Sequence, residues 1–188
     1  MKGKSYLFGS TLVAALGGLL FGFDTAVISG TTAALEKVFQ LSSFGLGFTV
    51  ASALIGTIVG SIAVGRPADR YGRRTTLIII AVLYSVSAVG SALAWDWWSF
   101  LFFRFLGGLG VGASSVASPM YIAEISPAPF RGRLVAITQF NIVFGMLVAF
   151  FSNFLIAELE LGMAAWRWMF GVEALPAAAF FFLLSLIH

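Results

Sequence analysis

The sequence predicts an all-α membrane protein with six transmembrane helices. Three observations carry that reading. Of 188 residues, 60% are hydrophobic and 10% are charged, with a mean hydropathy of +0.99, whereas a soluble domain needs about 25% charge to cover its surface. The apolar residues gather into six stretches, each near the roughly 20 residues that cross a bilayer as a helix. The connections between them alternate in basic charge, the pattern that orients membrane helices.

The spans fall near residues 6–29, 45–65, 75–94, 98–118, 132–157 and 168–187. The first has no small-residue cleavage site and is one of many, so it reads as a retained span and not a removed signal peptide. Gly18 and Gly22 in helix one, Gly56 and Gly60 in helix two, and Gly108 and Gly112 in helix four have the small-x-x-x-small spacing that lets backbones approach closely in lipid. Helix two runs into residues 65–74, G-R-P-A-D-R-Y-G-R-R. Such a charged block cannot lie in hydrocarbon, so it predicts a tight turn at a membrane surface. Trp95, Trp97 and Trp98 ahead of helix four, and Trp166 and Trp168 ahead of helix six, read as an outer aromatic belt. The 20 phenylalanines read mostly as lipid-facing or packing residues.

With the amino terminus inside, Lys2, Lys4, Arg66, Arg70, Arg73, Arg74, Arg131 and Arg133 are cytoplasmic, and Lys37 and Arg167 lie outside. Of the 11 basic residues, Arg104 alone falls within a span away from its ends. An even number of spans returns the carboxyl terminus to the cytoplasm. No linker or second domain is visible, so residues 1–188 read as a single six-helix transmembrane domain.

Several chemistries are excluded. There is no cysteine, and the one histidine, His188, is the last residue. Thiolate chemistry, a histidine metal cluster and a Ser–His arrangement are therefore absent, no cofactor is implied, and the chain does not read as an enzyme. The run G-G-L-G-V-G at 107–112 lacks the Gly-Lys-Ser/Thr ending and the preceding strand of a phosphate loop, so it reads as helix packing. The net charge of +3 follows membrane topology and gives no sign of a nucleic-acid partner.

Three charges inside spans carry more information. Asp24, Arg104 and Glu173 are expensive at membrane depth, on the order of 2.5–3.5 kcal/mol for Asp or Arg on insertion scales. Asp24 precedes the outer end of helix one by about five residues, and Arg104 follows the outer start of helix four by about six, which puts both roughly 7–9 Å below the outer boundary. Equal depth permits a direct ion pair. Glu173 lies at a similar depth on helix six and is a possible second partner.

The motifs then acquire a family. The 65–74 block resembles the signature loop between helices two and three of the major facilitator superfamily, with Pro67 and Thr75 as mild departures. Residues 17–30, G-G-L-L-F-G-F-D-T-A-V-I-S-G, resemble helix one of its sugar porter family, and 104–112, R-F-L-G-G-L-G-V-G, resemble helix four. The P-M-Y-I-A-E-I-S-P run at 119–127 with Arg131-Gly132 resembles the loop that follows. Gln139-Phe140 with Phe144-Gly145 resembles helix five, and 166–170, W-R-W-M-F, the start of helix six. The resemblance is to the first six-helix half of bacterial proton–xylose symporters and facilitative glucose transporters. It implies transport of a monosaccharide such as xylose or glucose, coupled to protons, by a protein of the bacterial inner membrane.

The resemblance also assigns roles. Asp24 matches the proton-coupling acid and Arg104 its ion-pair partner. Gln139 matches a glutamine that hydrogen-bonds sugar hydroxyls, and an amide suits a neutral polyol because it offers donors and an acceptor. A second glutamine expected seven residues on is replaced by Met146. Asp69, Arg73, Glu124 and Arg131 match loops of opposite sign that latch a cytoplasmic gate.

Length adds a constraint. Transporters of this superfamily join two six-helix halves with the site between them, and this chain matches the first half. The expectation is half of a twelve-helix assembly, completed by a second six-helix half or by a parallel homodimer. The alternatives are a non-transporting fragment, which would show no sugar uptake alone, or a scaffold or regulatory subunit that pairs with a full transporter. The topology is open to test: cysteines in Lys37→Cys and Arg70→Cys should label from opposite sides of the membrane, and labelling from one side would refute the six-span map.

Overall fold

The computed structural model describes residues 2–187, without the side chains of Lys2 and Met163; Met1 and His188, the termini expected in the cytoplasm, lie outside the described residues. Among the described residues there are nine α-helices and no strand. They are α1 (Lys2–Val27), α2 (Thr32–Val38), α3 (Ser43–Ala63), α4 (Gly65–Tyr71), α5 (Arg73–Ala92), α6 (Trp97–Ile125), α7 (Arg131–Glu158), α8 (Ala165–Val172) and α9 (Ala174–Leu186). Six spans are long and apolar enough to cross a membrane, and they run Gly3–Gly30, Ser43–Ala63, Arg73–Ala92, Trp97–Ile125, Arg131–Glu158 and Ala165–Leu186.

Local chemistry sets the boundaries. Ser42 caps α3 by accepting from the Gly45 amide at 3.1 Å. Asp96 and Ser99 form a reciprocal capping box that starts α6, and such a box satisfies two amide donors left over at a helix start. The signature block is not only a turn: residues 65–71 form α4, which follows α3 through a helical Val64. The reversal into α5 is left to Gly72, whose φ of 85° is accessible to glycine at little cost.

Two prolines act differently. The run at 119–127 was expected to be a loop, but α6 continues through Pro119 to Ile125, so Glu124 stands on the last helical turn. A proline is tolerated in a spanning helix because neighbouring groups re-satisfy the freed backbone. Pro176 has the opposite effect. It cannot donate to the Val172 carbonyl four residues back, and the sixth span breaks there, with Glu173 between α8 and α9.

The spans pack mainly as α3 on α6 and α1 on α7, with α5 between α6 and the broken sixth span. Glycine makes the first two contacts possible. A Cβ at Gly108 would meet the Ala53 carbonyl and lie 3.0 Å from the Gly56 Cα, and one at Gly112 would strike the Thr57 carbonyl. Likewise Gly22 faces the Ile142 carbonyl and Gly145 faces that of Leu19. Side-chain hydrogen bonds add to this packing. Asn141 and Asn153 of α7 donate at 3.0 Å to the carbonyls of Ala15 and Val27 on α1, and Trp97 donates to Thr49 at 2.7 Å across α6 and α3.

Arginines pin the sixth span to α5 at both ends. Arg167 donates at 2.9 Å to the carbonyls of Ala92 and Ala94. Arg74 donates to those of Leu184 at 3.3 Å and Ser185 at 2.9 Å. Cations here neutralise helix C-termini and satisfy their unpaired carbonyls. The aromatic belt needs one correction. Trp95, Trp98 and Trp168 are exposed, but Trp166 is buried, edge-on to Phe39 and Phe100 with centroids at 5.8 and 5.7 Å.

These contacts predict an asymmetry among glycines. Gly108→Ala should destabilise the protein by about 1–3 kcal/mol, because the obstruction is backbone and not a flexible side chain. Gly9→Ala, with nothing within 4 Å of the new Cβ, should be neutral or slightly stabilising. Denaturant unfolding in mixed micelles compares the two.

Candidate functional site

The centre of the bundle holds a buried ion pair. Arg104 on α6 donates through Nη1 to Asp24 Oδ1 at 2.7 Å, and its Nη2 lies 3.4 Å from both Oδ2 and the Asp24 carbonyl. The side chains are 2% and 3% exposed. The guanidinium also lies over the Phe170 ring at 5.1 Å, a cation–π contact that gains strength when desolvated. Gly107 makes room, since a Cβ there would run into Ser87 Oγ and sit 3.5 Å from Asp24 Oδ1. A cavity of about 160 Å³ bounded by Asp24, Thr25, Thr57 and Arg104 adjoins the pair beside α3.

Glu173 completes a cluster of three charges. It is fully buried at the break in the sixth span, within electrostatic reach of Asp24 and Arg104. Among the described residues, neither of its carboxylate oxygens has a hydrogen-bond partner, and neither do Arg104 Nε or the hydroxyl of buried Tyr84. Tyr84 was not singled out in the sequence; a phenol in the middle of a span was the available signal.

Gln139 lies apart from this cluster. It is exposed on α7 and lines an open hollow of about 480 Å³ with Phe21, Ser115, Thr138 and Ile142, between α1, α6 and α7. This hollow supplies hydroxyl and amide groups beside apolar surface, the mixture that suits a small polar solute.

The predicted gate residues are only partly brought together. Arg73 pairs with Asp69 at 2.7 Å and with Glu124 at 3.0 Å, so one guanidinium bridges α4, α5 and the end of α6. Arg131 instead donates to the Ser126 carbonyl at 3.5 Å and has no carboxylate partner among the described residues. Its place at the start of α7 points it back along the connection from α6.

A family profile described as "Sugar (and other) transporter" matches residues 10–188. The chain belongs to the sugar transporter family. It is 51% identical over 174 residues to the glucose transport protein of a Synechocystis strain, covering 88% of this chain and 37% of that protein. It is 46% identical to the D-xylose-proton symporter of Escherichia coli K12, covering 96% of this chain and 43% of that one. Among solved structures, the partially occluded inward-open xylose transporter of E. coli superposes with a TM-score of 0.92 at 45% identity, over 97% of this chain and 50% of that one. The chain thus spans half or less of the length of these relatives. Its six spans form one half of a major facilitator fold, in an integral membrane protein of a family of transporters and not enzymes.

The buried pair makes a stability prediction. Removing one partner strands the other in a low-dielectric site, so Arg104→Leu should cost about 3–5 kcal/mol. Asp24→Asn should cost less, because the amide still accepts from the guanidinium. Adding Asp24→Asn to Arg104→Leu should restore part of the loss. If Arg104→Leu unfolds at the same denaturant concentration as the unsubstituted protein, the pair is not holding α1 to α6.

Proposed function

We propose that this chain forms one six-helix half of a proton-coupled monosaccharide transporter of the bacterial inner membrane, with both ends cytoplasmic. The observation that carries the reading is the buried Asp24–Arg104 pair, with Glu173 beside it, in a chain of the sugar transporter family. A proton taken up by the Asp24 carboxylate cancels its attraction for the Arg104 guanidinium, and release of that proton restores it. Loading and releasing a proton therefore opens and closes the pair. The pair joins α1 to α6, so a proton on Asp24 loosens the contact between two central spans. That links the ionisation to helix position.

The sugar site in this reading is the hollow around Gln139. Its α1, α6 and α7 walls supply one side, and a second six-helix half, or a second copy set parallel, supplies the other, as expected for a site between repeats. Xylose and glucose are the substrates in the names of the relatives, and both are neutral polyols that an amide recognises well. The bridged Arg73 with Asp69 and Glu124 acts as the cytoplasmic latch, and Arg131 engages when the connection after α6 shifts. Each exposed ion pair contributes little, but several together bias an equilibrium whose gap is a few kcal/mol.

The test is transport by the complete assembly in vesicles, with and without an imposed pH difference. Asp24→Asn should abolish accumulation above the equilibrium level while leaving exchange without a gradient largely intact, because Gln139 stands on a different helix. Accumulation by Asp24→Asn would remove Asp24 from the coupling step. An unsubstituted assembly that ignores the gradient would replace symport with facilitated diffusion.

A further inference from the structure

The basic residues at the signature-loop end of the bundle are not used alike. Arg73 is held by two carboxylates, Arg74 by the carbonyls at the end of α9, and Arg131 by the Ser126 carbonyl. Lys4 and Arg133 make no ion pair or side-chain hydrogen bond among the described residues. They share a cleft of about 330 Å³ between the start of α1 and the start of α7, floored by Leu7, Phe8, Phe130 and Leu134 with no acidic residue in the lining. Two unpaired cations over an apolar floor, where two spans emerge from hydrocarbon, form an amphiphilic site.

The cleft continues along the same seam. A second hollow of about 410 Å³ is lined by Leu12, Leu16 and Leu19 of α1, Phe140 and Phe144 of α7, and Leu183 of α9. Leu12, Leu16 and Leu19 follow Phe8 at helical spacing, and the Phe140 and Phe144 rings stack with centroids at 6.3 Å. From Lys4 to Leu19 the helix rises about 22 Å, more than the roughly 15 Å of one leaflet's hydrocarbon. On α7 the Gln139 hollow takes Thr138, Gln139 and Ile142 while the seam takes Arg133, Phe140 and Phe144, and at 3.6 residues per turn these two sets lie on opposite faces of the helix.

We propose that the α1–α7 seam is a binding site for an anionic phospholipid, its phosphate between Lys4 and Arg133 and one acyl chain along the groove. Charge complementarity selects the headgroup, because a zwitterionic lipid brings its own cation to a site that already has two. The two apolar hollows, in which the one amide, Asn141, is turned to the Ala15 carbonyl, select a lipid over a soluble phosphate, which would leave them unfilled. The site is independent of the sugar and of proton coupling, and requires only that the spans sit in a bilayer.

Native mass spectrometry of the purified protein, titrated with dioleoyl phosphatidylglycerol or dioleoyl phosphatidylcholine, tests the site. Phosphatidylglycerol should bind more tightly. Lys4→Gln/Arg133→Gln should weaken it by roughly thirtyfold, from two cations near the surface, with little effect on phosphatidylcholine. Both residues are exposed, so the variant should melt like the unsubstituted protein. Arg66→Gln/Arg70→Gln, which removes the same charge outside the cleft, should bind phosphatidylglycerol almost normally. Equal binding of the two lipids, or an equal loss in the Arg66/Arg70 variant, would overturn the site. Dihexanoyl phosphatidylglycerol should bind more weakly than the long-chain lipid, and glycerol phosphate should not displace it. If either matches the long-chain lipid, the site is for a soluble anion and the lipid assignment fails.

Discussion

The ion pair between Asp24 and Arg104 constrains everything around it. Two opposite charges in a desolvated interior are tolerable only at close range and with good geometry, and the 2.7 Å contact supplies both. Its position requires α1 and α6 to run side by side at the centre of the bundle, glycine at 107, and Phe170 over the guanidinium. The glycine contacts of α3 on α6 and of α7 on α1 then build outward from the joined pair, placing the Gln139 hollow against both central helices. Stability and chemistry thus meet in the same two side chains, since whatever loosens the pair also loosens the core.

Much of this was legible in the sequence because a bilayer simplifies the problem. Depth follows from counting residues along a helix of fixed rise, so topology permits the pairing of Asp24 with Arg104, 80 positions apart in sequence, and the family resemblance names the same partners. The glycine spacings found their partners for the same reason, since small residues have one main use between spanning helices. The fold class is likewise shared with the relatives.

What stayed illegible depended on direction and on backbone acceptors. Trp166 and Trp168 share a span end, but only Trp166 lies on the face of α8 that meets Phe39 and Phe100. Pro119 and Pro176 carry the same chemistry, and their neighbours decide that one helix continues and the other breaks. Arg131 has the sign of a gate residue but not the reach, because its guanidinium is turned toward Ser126. Asn141 and Asn153 bond to main-chain carbonyls of α1, and every residue has such a carbonyl, so no sequence pattern marks the partner.

The sixth span, pinned to α5 by Arg74 and Arg167 and interrupted at Glu173, is mechanically a notched rod clamped at both tips. Such a rod resists sliding and tilting, since either would pull an arginine off two carbonyls at once. It yields to bowing, because the hydrogen bond that would stiffen its middle is missing at Pro176. Compliance is thereby concentrated at Glu173, which interacts with the ion pair. A small change of angle at the notch swings the Glu173 carboxylate toward or away from Arg104 while the ends of the span stay where the membrane surfaces hold them.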